Sequence, residues 1–446
     1  MKNKLDMTKG NIYKLILLFS LPLFIGNLFQ LLYTLCDSII SSHLIGSDAL
    51  GAIGATSSVT SLIVTLASGM GAGASIIISK AFGEHNDDKI KNSIFSIIVI
   101  NVIISFSISM IVFLLADGIL NLLSVPADIY QMAKDYFVVM ILGLITTLMY
   151  NTLSGILRAF GNSIFPLVIL VFSCLINIGG DFLFILAFKL GLLGSALSTI
   201  ISQLISVIIL IVYFVIKYPE YRLNKSDIYL KKNNIINIVT TGLSMGLMNS
   251  IFTIGGILMS KSINELGSDI ISANTASRRV IEIGMLPISS LSTACSIFVS
   301  QNYGAKKIDR ANDGVKKTIL FSFIWSILFL LIIPVERMLV ILIAATDDSV
   351  VIDNAILCIN WSMPFYFPLG ILSITRASLQ SFGKKIVPLI SSSIELVLML
   401  ISAFWWIKSF GYIGACITEP ISWVVCCIFI FSIYLVYCRR KKFNYE

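Results

Sequence analysis

The chain has 446 residues, of which 57% are hydrophobic and only 13% are charged. A typical soluble domain is about 45–50% apolar and about 25% charged, so the composition excludes a soluble globular protein and indicates a polytopic membrane protein. The net charge of +8 does not point to nucleic acid, because the basic residues lie between apolar segments rather than on one domain.

Twelve apolar segments are long enough to cross a lipid bilayer as helices. They lie near residues 14–40, 50–79, 92–116, 136–157, 163–187, 192–216, 235–263, 270–300, 317–341, 352–378, 386–408 and 412–437. The first is too long for the core of a signal peptide and is followed by no small-residue cleavage site, so we expect it to be retained as a helix. The sequence therefore predicts an all-α fold with twelve transmembrane helices.

The basic residues are distributed unevenly between the two sides of this predicted topology. With twelve spans, both termini and every second loop lie on one side, and that side carries 25 of the 32 Lys and Arg residues. Basic residues accumulate in the cytoplasmic loops of membrane proteins. We therefore predict a multi-pass protein of the cell membrane with both termini in the cytoplasm.

The second half of the chain repeats short motifs of the first half at a nearly constant offset of 220–222 residues. IGSD (45–48) matches LGSD (266–269), SKAFG (79–83) matches SQNYG (300–304), and GLLG (191–194) matches GYIG (411–414). Each half contains six predicted spans, an even number, so both halves enter the membrane from the same side. The sequence thus predicts two parallel six-helix bundles related by a pseudo-two-fold axis along the membrane normal.

The repeat also sets the predicted domain organisation. We expect residues 1–216 to form an N-terminal six-helix lobe, residues 217–234 a basic cytoplasmic connector, and residues 235–446 a C-terminal six-helix lobe with a basic cytoplasmic tail. Transporters built from such repeats place their substrate at the interface of the repeats.

Several residues of the repeated motifs have a structural interpretation. In the first half, Gly161 is suited to end one helix in a left-handed cap, and Pro166 is suited to open the next helix. Arg158 precedes this glycine and would complement the dipole at the helix C-terminus. Gly383 and Pro388 repeat the pattern in the second half.

Small residues elsewhere in the spans are also interpreted as structural. Gly69 and Gly73 have the small-x-x-x-small spacing of closely packed membrane helices, as do Gly242 and Gly246. The eight cysteines include no C-x-x-C pair, and most lie in apolar segments. We expect them to be small buried side chains with no disulfide or metal role.

Taken together, five motifs resemble those of the MATE (multidrug and toxic compound extrusion) family. They are SDALGAIG (47–54), LRAFGNSIFPL (157–167), IFVSQNYGA (297–305), LQSFGKKIVPL (379–389) and EPISW (419–423). The resemblance extends over nearly the whole chain. It implies a secondary antiporter that exports mostly cationic organic compounds in exchange for H⁺ or Na⁺, by rocker-type alternating access and without a cofactor.

The polar residues inside the predicted spans differ between the two halves. The first half has Asp37, Asn177 and Asp181, where the repeat has Met259, Met399 and Ala403. A carboxylate at the bilayer centre costs roughly 2.5–3.5 kcal/mol on insertion scales, and such residues usually face the bundle interior and mark ion or substrate paths. Maintenance of a shared fold does not predict this asymmetry, which therefore indicates a function for the first-half cluster.

The chemistry of this cluster suits a small cation. Asn177 and Asp181 are four residues apart and share one face of the fifth predicted helix. If Asp37 converges on them in a low-dielectric interior, one carboxyl group becomes a proton carrier near neutral pH. The same oxygens would equally suit Na⁺, a hard cation that prefers oxygen ligands. The sequence leaves both ions open.

The resemblance adds two further residues. In the subgroup that includes the bacterial damage-inducible members, the residues of the N-lobe cation site correspond to Asp37, Asn177, Asp181 and Thr199. The resemblance therefore implies that these four residues bind the coupling cation. The first-helix proline of the family corresponds to Pro22, which lacks a backbone N–H and permits a helix kink.

Three glutamates in the second half have two open interpretations. Glu282, Glu395 and Glu419 either attract a cationic substrate or coupling ion, or form structural ion pairs, with Arg278 or Arg279 pairing Glu282. The sodium-linked branch of the family has acids in its seventh and tenth spans. The corresponding segments, 235–263 and 352–378, have none in their apolar interiors.

Other function classes fit the sequence less well. A lipid-linked precursor or polysaccharide flippase has related architecture, but the acids favour cationic cargo. An intramembrane aspartyl protease would need a Gly-x-Gly-Asp motif, and here Ile178 stands in place of the first glycine. The sequence also has no H-E-x-x-H motif of a metalloprotease and no G-x-x-x-x-G-K-[ST] motif for binding the phosphates of ATP. We expect a monomeric transporter rather than an enzyme. Its expected partners are a cationic amphipathic small molecule and the lipid bilayer, with no nucleic acid.

Overall fold

The computed structural model describes residues 5–224, 227, 229–344 and 346–443, with side chains at all of these except residues 38, 47 and 440–443. Parts of the predicted cytoplasmic segments lie outside the described residues. These are residues 1–4 at the N-terminus, residues 225, 226 and 228 of the connector, and residues 444–446 of the basic tail.

Seventeen α-helices lie in the described residues. In the first half they are α1 (Ile12–Ile45), α2 (Ser47–Gly83), α3 (Asp87–Leu114), α4 (Ala116–Leu122), α5 (Tyr130–Leu142), α6 (Leu144–Ala159), α7 (Ile164–Asp181) and α8 (Leu192–Lys217). In the second half they are α9 (Lys232–Asn264), α10 (Ser268–Gly304), α11 (Ile308–Leu330), α12 (Glu336–Ala344), α13 (Ser349–Ser362), α14 (Tyr366–Ser381), α15 (Ile386–Ile401), α16 (Ile407–Phe410) and α17 (Tyr412–Phe443).

The helices confirm the prediction of an all-α polytopic membrane protein. Within the described part of the chain, eleven helical segments have the length and apolar composition of membrane spans. A twelfth is formed by α5 and α6, which meet at an angle of 41°. A helix satisfies its own backbone hydrogen bonds, which is why a chain of this composition crosses lipid as helices.

The two halves interrupt their helices at matching places. The third span of each half is broken before its end, into α3 and α4 in one half and into α11 and α12 in the other. The fifth span of each half ends in a π-helix, Phe182–Ala187 after α7 and Ser402–Trp406 after α15. The internal repeat seen in the sequence is therefore also a repeat of irregular local structure.

The chain divides into two compact units that do not follow a single cut in the sequence. Unit 1 contains Ile25–Leu247 and the N-terminal residues up to Asp6, and unit 2 contains Met7–Phe24 and the residues from Met248 onward. Helices α1 and α9 each belong partly to one unit and partly to the other. The predicted lobes 1–216 and 235–446 differ from these units in residues 7–24 and 235–247, and that domain division stays a prediction.

The repeated Phe-Gly motifs end helices as the sequence predicts. In α6, Asn162 N–H donates to the carbonyl of Leu157 (3.0 Å) and Gly161 N–H to that of Arg158 (2.9 Å), which is a Schellman cap. Gly161 has φ +82°, a left-handed conformation that favours glycine. At the end of α14, Gly383 has φ +84° and the same two hydrogen bonds recur.

These two glycines provide a matched pair of substitutions. We expect Gly161→Ala to destabilise the protein more than Gly383→Ala. Both place a Cβ in a left-handed conformation, which costs roughly 1–2 kcal/mol. A Cβ at Gly161 would also lie 2.7 Å from the Cβ of Leu5, whereas a Cβ at Gly383 meets nothing within 4 Å. Thermal unfolding of the purified variants measures the difference; an equal or larger loss at Gly383 would contradict the assigned contact with Leu5.

The small-x-x-x-small pairs make the close helix contact that their spacing predicts. Both pairs lie in unit 1, because the first part of α9 belongs to that unit. A Cβ added at Gly69 would overlap the backbone of Gly246, and one at Gly73 would lie 2.8 Å from the Cα of Gly242. Only residues without a side chain allow α2 and α9 to approach this closely.

The beginning of the predicted connector is packed rather than free. Tyr218 and Tyr221 are buried, and both rings stack on Phe160, at centroid distances of 5.1 Å and 4.9 Å. Phe160 is the aromatic residue of the first Phe-Gly motif, and its counterpart Phe382 packs edge-on against Tyr303 at 5.3 Å. The phenylalanine of each motif is thus a structural residue.

Candidate functional site

The structure brings the four predicted cation-site residues together within unit 1, on α1, α7 and α8. Asp37 is partly buried on α1, and the hydroxyl of Ser195 on α8 donates to its Oδ1 (3.1 Å). One turn earlier on α1, the hydroxyl of Tyr33 donates to Oγ1 of Thr199 (3.4 Å). These two hydrogen bonds join the second part of α1 to α8.

The end of α7 supplies the amide and the second carboxylate. Asn177 and Asp181 are both fully buried, as their four-residue spacing on one helix face allows. Nδ2 of Asn177 donates to the hydroxyls of Ser198 (3.1 Å) and Thr199 (3.2 Å). The hydroxyl of Ser198 donates in turn to the backbone carbonyl of Asn177 (2.6 Å). The amide is therefore held in one orientation by α8.

The amide orientation leaves buried acceptor oxygens without well-aligned donors. No described residue donates a well-aligned hydrogen bond to either carboxylate oxygen of Asp181 or to Oδ1 of Asn177, although the hydroxyl of Ser198 and the carboxyl group of Asp37 lie close to Asp181. The carboxyl groups of Asp37 and Asp181 lie within interaction range of each other. A buried carboxylate without a partner is strongly unfavourable, so a proton or a bound cation is required to neutralise it. The donor set, carboxylate and amide oxygens with nearby hydroxyls, suits either H⁺ or Na⁺.

Local backbone structure contributes to this arrangement but does not explain it fully. Asp181 is the last residue of α7, and the π-helix begins at the next residue. π-Helical turns occur frequently at functional sites, because they change the direction in which successive side chains point. The second half has the same π-helical turn without an acid, so the turn alone does not define the site.

The counterparts of these residues in unit 2 form part of a hydrophobic core. Met259, Met399 and Ala403 are all buried and belong to one apolar cluster. The fold therefore accommodates apolar side chains at all three positions. This agrees with the interpretation that the first-half cluster has a function that the fold itself does not require.

The three predicted second-half glutamates each have an arginine partner. Nη1 of Arg278 lies 2.6 Å from Glu419. Arg376 lies 3.0 Å from Glu395, whose side chain is only 5% exposed. The sequence predicts Arg278 or Arg279 as the partner of Glu282, and Arg279 makes the contact, at 3.3 Å. Their roles in binding a substrate or ion stay a prediction, and the pairing supports the structural interpretation for Glu395 and Glu419.

Sequence reasoning missed several polar residues of these two units. Tyr33, Ser195 and Ser198 contact the predicted site. Tyr33 and Ser195 stand four residues before Asp37 and Thr199, which is a usable signal, whereas Ser198 only directly precedes Thr199. The spacing was overlooked because hydroxyl residues are common in these spans. Glu336 was also missed: it is buried at the start of α12 and accepts a hydrogen bond from the amide of Asn360 (3.1 Å).

Pro22 lies inside α1, fifteen residues before Asp37. The boundary between the units within α1 falls after Phe24, close to this proline. A proline removes one helical hydrogen bond and lowers the cost of bending. Its predicted role as a kink stays a prediction.

The fold and this cluster define a polytopic all-α membrane protein with an internal repeat and a buried, partner-deficient carboxylate in one unit. The MatE family model matches residues 22–183 and residues 244–405, which together make up more than half of the chain. The chain therefore belongs to the MatE family of membrane transporters, as the sequence motifs indicate.

Individual relatives agree with this assignment over nearly the full length. The chain is 23% identical to the probable multidrug resistance protein YoeA of Bacillus subtilis (strain 168), covering 98% of this chain and 96% of the relative. It is 24% identical to an FAD transporter of Shewanella oneidensis, covering 90% and 89%. It also matches a solved structure described as the outward-facing conformation of a multidrug resistance MATE family transporter, with 21% identity, 99% coverage of both chains and a TM-score of 0.90. This last likeness supports the fold.

Proposed function

We propose that this transporter exports small organic compounds, cationic ones in particular, from the cytoplasm in exchange for H⁺ or Na⁺ bound in unit 1. The single observation that carries the coupling proposal is Asp181: it is fully buried close to a second acid, Asp37, and no described residue donates a well-aligned hydrogen bond to either of its oxygens. Such a group needs a neutralising cation, and only a cation that binds and leaves can couple to transport.

The proposed roles of the site residues follow from their positions. Asp181 and Asp37 supply the negative charge, and Oδ1 of Asn177 supplies a neutral oxygen ligand. Thr199 accepts from both Asn177 (3.2 Å) and Tyr33 (3.4 Å), so it links the ligand-bearing α7 to α1. Neutralisation of the carboxylates removes their mutual repulsion and favours closer packing of α1 on α7 and α8. This coupling of charge to helix packing would bias the lobes between their two access states.

The cargo is proposed from the relatives and from charge. YoeA is named a probable multidrug resistance protein, which supports export of small organic compounds. The named FAD transporter shows that relatives at a similar level of identity also include a carrier of a large anion. The acids of unit 1 favour a cation here. Of the second-half glutamates, Glu282 is the most accessible, with a side chain 49% exposed.

The remaining parts of the proposal concern placement. We propose that the protein lies in the cell membrane as a monomer, with both termini in the cytoplasm and without a cofactor. The distribution of basic residues supports this orientation. Membership of a transporter family supports a transport role rather than an enzymatic one.

Reconstituted vesicles test this proposal directly. Purified protein in liposomes is given either a pH gradient or a Na⁺ gradient, and movement of a fluorescent organic cation is measured against that of FAD. We expect counter-transport of the cation under one of the two gradients. Movement of FAD alone would overturn the cationic assignment. Movement of a labelled lipid-linked sugar without dependence on either gradient would favour the flippase alternative, and no response of any cargo to either gradient would contradict ion coupling.

A further inference from the structure

Glycines with matching backbone conformations align the sequence of unit 2 with that of unit 1 near the cation site. Gly191 precedes α8 with φ 55° and ψ −140°, and Gly411 precedes α17 with φ 60° and ψ −141°. Thr199 lies eight residues beyond the first glycine, and Glu419 lies eight residues beyond the second. Glu419 thus stands in unit 2 where unit 1 has Thr199.

A second pair of glycines fixes the position of the arginine. Gly46 precedes α2 with φ 120°, and Gly267 precedes α10 with φ 105°. Ser57 lies eleven residues beyond the first of these, and Arg278 lies eleven residues beyond the second. The repeat has therefore placed a guanidinium group in unit 2 where unit 1 has only a hydroxyl.

A third position in the repeat neighbours charged groups in both units. Tyr136 lies within electrostatic range of both Asp37 and Asp181. Its counterpart Cys358, also 24 residues before the phenylalanine of the Phe-Gly motif, lies within electrostatic range of Arg278 and Glu419. The ion pair of unit 2 therefore corresponds to the Thr199 side of the unit 1 cation site, whereas the counterparts of Asp37, Asn177 and Asp181 are apolar.

We propose that Arg278 is a tethered cation held by Glu419, the unit 2 counterpart of Thr199, so that Glu419 marks a latent binding site for a small monovalent cation. The inference rests on the proposed function of the unit 1 site. It explains why two homologous units would give a transporter with one coupling site: one unit recruits its cation from water, and the other carries the cation on a side chain.

The geometry supports a complete replacement of an external cation. Nη1 of Arg278 lies 2.6 Å from Oε1 of Glu419, a short charge-assisted contact, and the Glu419 side chain is only 7% exposed. Loss of the arginine would leave a buried carboxylate without its counter-charge. Other oxygen groups of α10 and α17 contact one another: the hydroxyls of Ser277 and Tyr412 are 3.4 Å apart, and Tyr412 donates to Oδ1 of Asn274 (3.5 Å).

Chemical rescue with guanidinium ion tests this proposal. Arg278→Ala removes the head group and opens a space of matching shape next to Glu419. We expect this variant to unfold at a lower temperature than the parent protein, and millimolar guanidinium chloride to raise its unfolding temperature relative to NaCl of the same ionic strength. In Arg278→Ala/Glu419→Gln the rise should be lost, because the carboxylate that binds the cation is gone. Arg278→Lys keeps a tethered cation and should show no rise.

The outcomes separate this inference from the coupling proposal. A rise in Arg278→Ala that depends on Glu419 supports the tethered cation, whatever ion drives transport. No rise, or an equal rise in the double variant, would overturn it. If Arg278→Ala does not fold, the same comparison is made with Arg278→Gln, which fills more of the space, and refolding yield with and without guanidinium replaces the unfolding temperature. If rescue succeeds but the vesicle experiment shows no coupled transport, only the coupling proposal for unit 1 is rejected, and the tethered cation stands.

Discussion

We expect export driven by an ion gradient to fall at least about tenfold in the Asp181→Asn variant, and to a similar extent in Asp37→Asn. A hydrogen bond or contact to a charged group is worth about 1.5–3 kcal/mol, and each 1.4 kcal/mol corresponds to about a tenfold change in affinity. Asparagine keeps the size of the side chain but removes the charge that attracts the coupling cation. Initial rates of cargo movement in reconstituted vesicles under the effective gradient measure the loss.

The internal repeat supplies the matched controls for this prediction. Met259 and Met399 stand where Asp37 and Asn177 stand in the other half, and both are buried in the core of unit 2. Met→Leu at either position conserves volume and should cost less than about 1.5 kcal/mol of stability, with export retained. Export that survives Asp181→Asn but is lost in Met259→Leu would contradict the assignment of the coupling site to unit 1.

The sequence predicts the scaffold well because its signals are local or repeated. Span length depends on runs of apolar residues, and caps such as those at Gly161 and Gly383 depend on a few consecutive residues. The asymmetry between Asp37 and Met259 needs only the register of the repeat. All of these features are readable without knowing which helices touch.

The partners of the site residues depend on tertiary packing and were not predictable in the same way. Ser195 and Asp37 form a hydrogen bond although they are 158 residues apart in the chain. From the sequence, many other hydroxyl residues in these spans were equally plausible partners. Glu336 lies near the end of the predicted span 317–341, between Pro334 and Arg337, and the sequence gives no sign that it is buried, whereas the structure makes it the buried first residue of α12.

The buried ion pair of Arg376 and Glu395 leads to the second large expected effect. We expect Arg376→Met to lower the free energy of unfolding by about 3–5 kcal/mol, because it leaves a carboxylate buried without its counter-charge. The side chains are only 14% and 5% exposed, and Nη2 of Arg376 also donates to the hydroxyl of Ser391 (2.7 Å). Equilibrium unfolding in detergent micelles, followed by fluorescence, measures the change.

The double variant decides between a structural pair and a substrate-binding acid. Arg376→Met/Glu395→Leu removes both charges, and replacement of a buried pair by apolar side chains is often neutral or stabilising. If the pair is structural, the double variant should recover most of the stability lost in Arg376→Met and should retain export. Arg279→Met, at an exposed pair, should cost less than about 1 kcal/mol and serves as the surface control. Recovered stability with lost export would instead show that Arg376 or Glu395 has a role in export beyond the structural pair.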